Sequence, residues 1–145
     1  MPGMRRLGCD VGKLTPPMTF RILVIDDSEV VLSRIKSALV AEGYEVTTTT
    51  QAVGNARHIP SSDLVIIDFH MPGIDGGTVV QSLRRAAGET HQCLFYLYSS
   101  DATLKHDEMG FDGLLSDKGD EDALVRQVRA IVRTTQLKAL RKTRT

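Results

Sequence analysis

The sequence is poor in the residues that mark secreted, zinc-clustered or membrane-spanning proteins. Among 145 residues there is no tryptophan, and the only cysteines are Cys9 and Cys93. Two cysteines make no disulfide framework, and their spacing does not resemble a zinc site, so we expect a reducing, cytoplasmic environment. No apolar run approaches the roughly 18 residues that span a bilayer. No apolar stretch follows Arg5 and Arg6, which excludes a secretory signal.

The chain also lacks a net charge, with 18 basic and 18 acidic residues. Composition therefore favours neither nucleic acid nor a membrane surface as a partner. Basic residues accumulate after Asp122, where no acidic residue remains. We interpret them as complements of a helix dipole and as solubilising groups. The tail is too short for a helix-turn-helix unit, so we do not expect sequence-specific DNA binding.

The length suits one compact domain. Residues 1–19 are rich in glycine, proline and basic residues without periodicity, which indicates a flexible N-terminal extension. A regular alternation of apolar segments fills residues 20–133, and residues 134–145 form a basic C-terminal tail.

Five short apolar segments alternate with helical patterns. The predicted strands are Arg21–Ile25, Tyr44–Thr48, Leu64–Ile67, Cys93–Tyr98 and Gly113–Ser116. The first predicted helix follows Ser28 and buries Val31, Ile35, Ala38 and Leu39, and the second covers Gln51–His58. The third buries Val79, Val80 and Leu83. The last buries Leu124, Val128, Ile131 and Val132. This order predicts an α/β fold, a doubly wound five-stranded parallel sheet with helices on both faces.

Polar residues follow the predicted strands at the ends where ligands bind in such sheets. Asp26 and Asp27 end the first strand, Asp68 ends the third, Ser99 follows the fourth and Lys118 follows the fifth. Adjacent carboxylates repel one another unless a cation offsets their charge. Mg²⁺, or Mn²⁺ in its place, prefers such oxygen ligands, so the pattern predicts a divalent-cation site.

Beside such a cation, one carboxylate can attack phosphorus in line and form an acyl phosphate. The candidates are Asp68 as acceptor, with Ser99 and Lys118 holding phosphoryl oxygens. Taken singly, an aspartate, a serine or a lysine at these places is a helix cap, a turn residue or a solvated charge. The joint placement across four strand ends favours the functional interpretation. Asp75 is instead predicted to cap the third helix.

The motifs resemble the receiver domains of bacterial two-component response regulators, in particular single-domain, chemotaxis-regulator-like ones. The matching segments are Ile22-Leu-Val-Ile-Asp-Asp-Ser28, Leu64-Val-Ile-Ile-Asp-Phe-His-Met-Pro-Gly-Ile-Asp-Gly76, Tyr96-Leu-Tyr-Ser-Ser100 and Gly110-Phe-Asp-Gly113. The resemblance covers about residues 20–133 and implies a flavodoxin-like architecture.

The resemblance implies a role for each site residue. Asp68 corresponds to the phosphoacceptor and Ser99 to the hydroxyl that turns toward the phosphoryl group. Asp27 corresponds to a direct metal ligand, Asp26 to a ligand acting through water, and the His70 carbonyl to a third protein ligand. The donor would be a sensor histidine kinase or a phosphotransfer protein, and an unidentified protein effector would receive the signal. Such a domain catalyses its own phosphorylation and dephosphorylation rather than turning over a substrate.

The sequence departs from the family in three places. The family usually has Lys-Pro after its fifth strand. Ungapped counting from Gly110 assigns that lysine position to Asp117, and Lys118 comes one residue later. A bulge could bring Lys118 into the family's lysine position. Leu114 replaces the switch aromatic of the last strand. Residues 101–109 are about one turn too short for the customary fourth helix.

Two alternatives stay open. The departures favour a receiver-like interaction module that works without phosphorylation. A phosphate-ester hydrolase with an aspartate nucleophile usually has a second aspartate two residues on, where this chain has His70. His70 and Asp101 each lie two residues beyond a motif position. They are either exposed loop residues or, as a sharper hypothesis, modulators of acyl-phosphate lifetime.

Overall fold

The central element of the fold is a five-stranded parallel sheet. In a computed structural model, the described residues are 19–88, 93–101 and 103–143. The strands are β1 (Arg21–Ile25), β2 (Glu45–Thr49), β3 (Leu64–Asp68), β4 (Leu94–Tyr98) and β5 (Gly113–Leu115). Their order in the sheet is β2-β1-β3-β4-β5, and all neighbours are parallel. The predicted α/β class is therefore confirmed.

Helices cover both faces of this sheet. They are α1 (Glu29–Val40), α2 (Gly76–Ala87), the four-residue α3 (His106–Met109) and α4 (Glu121–Thr143), with a 3₁₀ helix at Ala56–Ser61 and a small hairpin pairing His70–Met71 with Ile74–Asp75. The Ser28 hydroxyl caps α1 by accepting a bond from the Val31 N–H. The Asp75 carboxylate caps α2, as predicted, by accepting from the Thr78 N–H at 2.8 Å.

Two hydrophobic cores lie on opposite sides of the sheet because successive strand residues face opposite ways. In β1, Ile22 and Val24 pack with α1 and α4, while Leu23 and Ile25 pack with α2 and the 3₁₀ helix. Burial on both faces explains why the central strands are continuous apolar runs. It also fixes the carboxyl ends of β1 and β3 side by side.

Several local predictions need correction. The helix expected at Gln51–His58 is wrong: the segment forms a short 3₁₀ helix at Ala56–Ser61, with Pro60 inside it. Proline supplies no N–H and disfavours a continued α-helix, whereas short 3₁₀ turns tolerate it. The second strand is Glu45–Thr49, one residue later than predicted.

Two helices also differ in detail from the prediction. In α1, Leu32 is buried with Ile35 and Leu39, whereas Val31 and Ala38 are only half-buried. Helix α4 continues to Thr143, so the segment predicted as a basic tail is helical up to that residue. Except for Thr19, the predicted N-terminal extension lies outside the described residues. Arg144 of the predicted basic tail also lies outside them. Among the described helices, each is too short or too polar to cross a bilayer.

Candidate phosphoryl and metal site

Three carboxylates converge at the carboxyl edge of the sheet. Oxygens of Asp26, Asp27 and Asp68 all lie within 4.8 Å of one another. The neighbouring strands β1 and β3 pair Ile25 with Ile67, so the residues that follow each are brought side by side. Asp26 and Asp68 are buried, with 2% and 7% of their surfaces exposed, while Asp27 is open to solvent. A single ion could contact all three.

Lys118 reaches this cluster. Its ammonium nitrogen Nζ lies 2.8 Å from Asp26 Oδ2 and 2.6 Å from Asp68 Oδ1. Asp117 is exposed and has a φ of +56°, a left-handed conformation that non-glycine residues seldom adopt. This turn absorbs the extra residue between β5 and the lysine. Lys118 thus reaches the cluster through a left-handed turn after the end of β5, where a bulge was considered from the sequence.

The charges at this edge are unequal, with three carboxylates for one ammonium group. Burial raises the pKa of Asp68 above its ordinary value, although the hydrogen bond and charge of Lys118 oppose that rise. Burial by itself would lower the pKa of Lys118, but its bonds to Asp26 and Asp68 raise it overall. Lys118 therefore stays charged, and the cluster keeps a negative charge that favours a cation.

The other predicted site residues lie on the loops around the cluster. Ser99 is buried, and its hydroxyl oxygen accepts a bond from the Asp101 N–H at 3.0 Å. His70 and Asp101 are both exposed. Hydrogen bonds from Thr103 lower the pKa of Asp101.

Two contacts of the site were not foreseen from the sequence. The Ser100 hydroxyl oxygen accepts a bond from the Lys118 N–H at 2.9 Å, and the Tyr98 hydroxyl accepts one from the Gly119 N–H at 3.4 Å. Sequence reasoning named Ser100 only as a residue at a strand end, and Tyr98 only as part of a strand. No motif signals either contact, because both depend on the path of the loop after β5.

Glycine is required where α2 begins. A Cβ at Gly76 would lie 2.8 Å from the Asp68 carbonyl oxygen, too close for any other residue without a shift. The start of α2 therefore packs directly on the strand end that carries Asp68. Beside it, the loop from Phe69 to Asp75 and the exposed Asp27 line an open groove of about 530 Å³.

A doubly wound sheet with an acidic trio and a lysine at its carboxyl edge defines an α/β domain of the receiver class. A family model described as the response regulator receiver domain matches residues 22–129. The chain belongs to this family.

Curated relatives agree with this assignment. The chain is 32% identical over 123 residues to the response regulator PleD of Caulobacter vibrioides, covering 80% of this chain and 27% of PleD. It is 31% identical over 127 residues to the transcriptional regulatory protein PrrA of Mycobacterium leprae, covering 86% of this chain and 53% of PrrA. The chain thus spans about a quarter to a half of these relatives.

Solved structures share the fold. A CheY-like receiver domain protein from Methanospirillum hungatei matches with a TM-score of 0.70 at 19% identity, over 83% of this chain and 98% of that one. The response regulator TrrA of Thermotoga maritima, in complex with Mg²⁺ and BeF, matches with a TM-score of 0.65 at 28% identity. That match covers 77% of this chain and 98% of TrrA.

Proposed function

We propose that Asp68 accepts a phosphoryl group from a phosphohistidine on a sensor histidine kinase or a phosphotransfer protein. The phosphorylated domain would then change its contacts with a downstream protein effector. The observation that carries this proposal is Lys118, whose ammonium group is shared between Asp26 and Asp68. A cation held between two buried carboxylates is placed to receive an oxygen of the incoming phosphoryl group.

The transfer follows from the chemistry of the acceptor. An Asp68 carboxylate oxygen forms a bond with phosphorus while the phosphorus–nitrogen bond to the donor histidine breaks. The departing imidazole nitrogen keeps the electron pair and takes up a proton. Lys118 is placed to hold one phosphoryl oxygen, and the Ser99 hydroxyl can take another if it leaves its bond with Asp101.

The donor set suits a hard divalent cation. Asp26, Asp27 and Asp68 offer carboxylate oxygens within 4.8 Å of one another, and the His70 carbonyl is the fourth candidate donor. Mg²⁺ or Mn²⁺ favours oxygen donors of this kind and keeps several waters. When bound, the cation would neutralise charge on the phosphoryl and carboxylate oxygens. The complex of TrrA with Mg²⁺ and BeF supports the choice of metal.

The phosphorylation-independent module is the weaker candidate. One of the three departures that favour it is the displaced lysine, and Lys118 nonetheless lies 2.6 Å from Asp68. Two departures from the family remain: Leu114 packs half-buried where the switch aromatic is usual, and α3 has only four residues. Neither departure changes the carboxylates or Lys118, so we take both to affect which effector is recognised rather than phosphoryl acceptance.

Incubation with acetyl phosphate and Mg²⁺, followed by intact-mass measurement, tests the proposal. We expect the wild type to gain the mass of one phosphoryl group, in a form that is lost at alkaline pH. Asp68→Asn should gain none, and chelation of the metal should prevent the gain in the wild type. An unmodified wild type would refute phosphoryl acceptance and favour the interaction module.

His70 and Asp101 supply a second test, because both are exposed and lie two residues beyond Asp68 and Ser99 of the site. We expect the double exchange His70→Asp with Asp101→His to change the lifetime of the acyl phosphate by a few-fold, since both side chains lie where water must approach. Timed loss of phosphate from the purified phosphoprotein measures this lifetime. Thr78→Ala, on the capping turn of α2, is the control, and an unchanged lifetime in the exchanged variant would remove the idea.

A further inference from the structure

Lys118 and its neighbour Gly119 are hydrogen-bonded by residues that are candidates neither for binding the metal nor for holding the phosphoryl group. We propose that Ser100 and Tyr98 are positioning residues that fix the loop after β5 so that the Lys118 ammonium reaches Asp68. Tyr98 is the last residue of β4 and Ser100 follows it by two residues, so they flank Ser99 in the sequence. Neither residue is expected to touch the phosphoryl group.

Ser100 fixes the backbone of the lysine itself. Its hydroxyl oxygen accepts a bond from the Lys118 N–H at 2.9 Å, and the hydroxyl can also donate to the Lys118 carbonyl at 3.5 Å. The side chain is exposed, so it contributes little to the core. A hydroxyl that binds both the N–H and the C=O of one residue limits rotation of the backbone from which that side chain extends.

Tyr98 supports the same loop from the protein interior. Its ring belongs to the core between the sheet, α1 and α4, and only 2% of its surface is exposed. Its hydroxyl accepts a bond from the Gly119 N–H at 3.4 Å, and Lys118 Nζ lies 5.8 Å from the ring centroid. An ammonium group within about 6 Å of an aromatic ring is attracted to it. Tyr98 therefore contacts the lysine's backbone neighbour and borders its side chain.

The unusual backbone of this loop explains why such contacts are needed. Asp117 has a φ of +56° and Gly119 one of +104°, on the two sides of Lys118. A left-handed aspartate is a higher-energy conformation that persists when surrounding contacts hold it. The hydrogen bonds of Ser100 and Tyr98 provide this restraint at the two residues that follow Asp117. They also link the strand end that carries Ser99 to the lysine.

The first experiment measures phosphorylation rates in a double-mutant cycle. Loss of one hydrogen bond should slow phosphorylation by acetyl phosphate about fivefold in Ser100→Ala, and about twofold in Tyr98→Phe because its bond is longer. Ser100→Thr keeps the hydroxyl and should restore the rate. Ser116→Ala is the matched control, since this serine lies in the same loop but binds Gln127.

The cycle separates positioning of the lysine from general damage. In a Lys118→Met background, Ser100→Ala should have no further effect on the rate, because the group that it positions is gone. An equal decrease in both backgrounds, or no decrease with Lys118 present, would overturn the proposal. Ser100 is exposed, so its truncation should leave the fold intact.

A second measurement is independent of phosphorylation, because the role assigned to Lys118 rests on the proposed function. In the unphosphorylated protein, the NMR signal of the Lys118 side-chain ammonium should differ from that of the exposed Lys36. Ser100→Ala should move it toward the exposed value, and Ser100→Thr should not. An unmoved signal would overturn the positioning role. If Ser100→Ala moves the signal as expected but the wild type takes no phosphoryl group, phosphoryl acceptance alone would be refuted.

Discussion

At the amino edge of the sheet, Asp63 and Asp112 each pair with one arginine, whereas at the carboxyl edge two of the three clustered aspartates, Asp26 and Asp68, share Lys118. Asp63 accepts bonds from the backbone N–H and the guanidinium of Arg21. Asp112 accepts from the Phe95 N–H and from the Arg84 guanidinium, both at 2.8 Å.

The difference separates structural carboxylates from reactive ones. At the amino edge Asp63 and Asp112 each meet their own cation and a backbone donor, so these two aspartates join loops to strands and leave no charge of their own for a ligand. At the carboxyl edge the negative charge exceeds the positive charge, and two of the carboxylates are buried. Clustered carboxylates that repel one another in this way are typical of sites that bind a cation or carry out a reaction.

The largest expected effect is on the phosphorylation rate, when one basic side chain at each edge is replaced by methionine. Lys118→Met should slow phosphorylation of Asp68 by about 100-fold, the loss typical of removing one group that stabilises a developing charge. Arg84→Met removes a cation from the other edge and should leave the rate within about twofold of the wild type, since Arg84 bonds Asp112 and the Gly110 carbonyl rather than the acidic cluster. Similar losses in both variants would break the comparison.

Stability should respond in the opposite order. Asp112→Ala leaves the Phe95 N–H without its partner and removes one of the two acceptors of Arg84, and we expect the free energy of unfolding to fall by about 1–3 kcal/mol. Asp27→Ala removes an exposed charge from a repulsive cluster and should change it by less than about 0.5 kcal/mol without metal. Urea denaturation in the presence of a chelator measures both. A larger loss in Asp27→Ala would contradict this account.

The smallest expected effect is at Cys93, which precedes β4 at the amino edge. Burial raises the pKa of its thiol from 9.0 to about 12, with the charges of Asp63 and Asp112 adding to the rise. We therefore expect no alkylation of Cys93 by iodoacetamide at pH 8.5 until urea unfolds the chain, as followed by peptide mass mapping. Because the folded pKa is raised, stability should decline as the pH rises above 9. Rapid alkylation of the native protein would show that this edge opens.

The sequence predicted the sheet and the acidic cluster for a simple physical reason. Buried parallel strands are continuous apolar runs, and their carboxyl ends meet at one edge. Asp26, Asp27 and Asp68 directly follow such runs. The strands therefore fix where these residues lie in space, and their positions could be predicted from the sequence.

The position of Lys118 could not be predicted in the same way. It involves a left-handed Asp117 and hydrogen bonds that the N–H groups of Lys118 and Gly119 donate to the hydroxyls of Ser100 and Tyr98, which are distant in sequence. Periodicity carries no information about such contacts. The failed helix prediction before β3 has a similar origin, since Pro60 is accommodated by the 3₁₀ helix rather than ending a regular one.

A crystal structure with Mg²⁺ and beryllofluoride, which mimics a bound phosphoryl group, tests the central claim most directly. We predict one beryllofluoride group on the Asp68 carboxylate, with Lys118 Nζ and the Ser99 hydroxyl against its fluorides. The metal should contact Asp27, Asp68 and the His70 carbonyl. Binding elsewhere, or a Lys118 side chain turned into solvent while Asp68 carries the group, would contradict the proposed site.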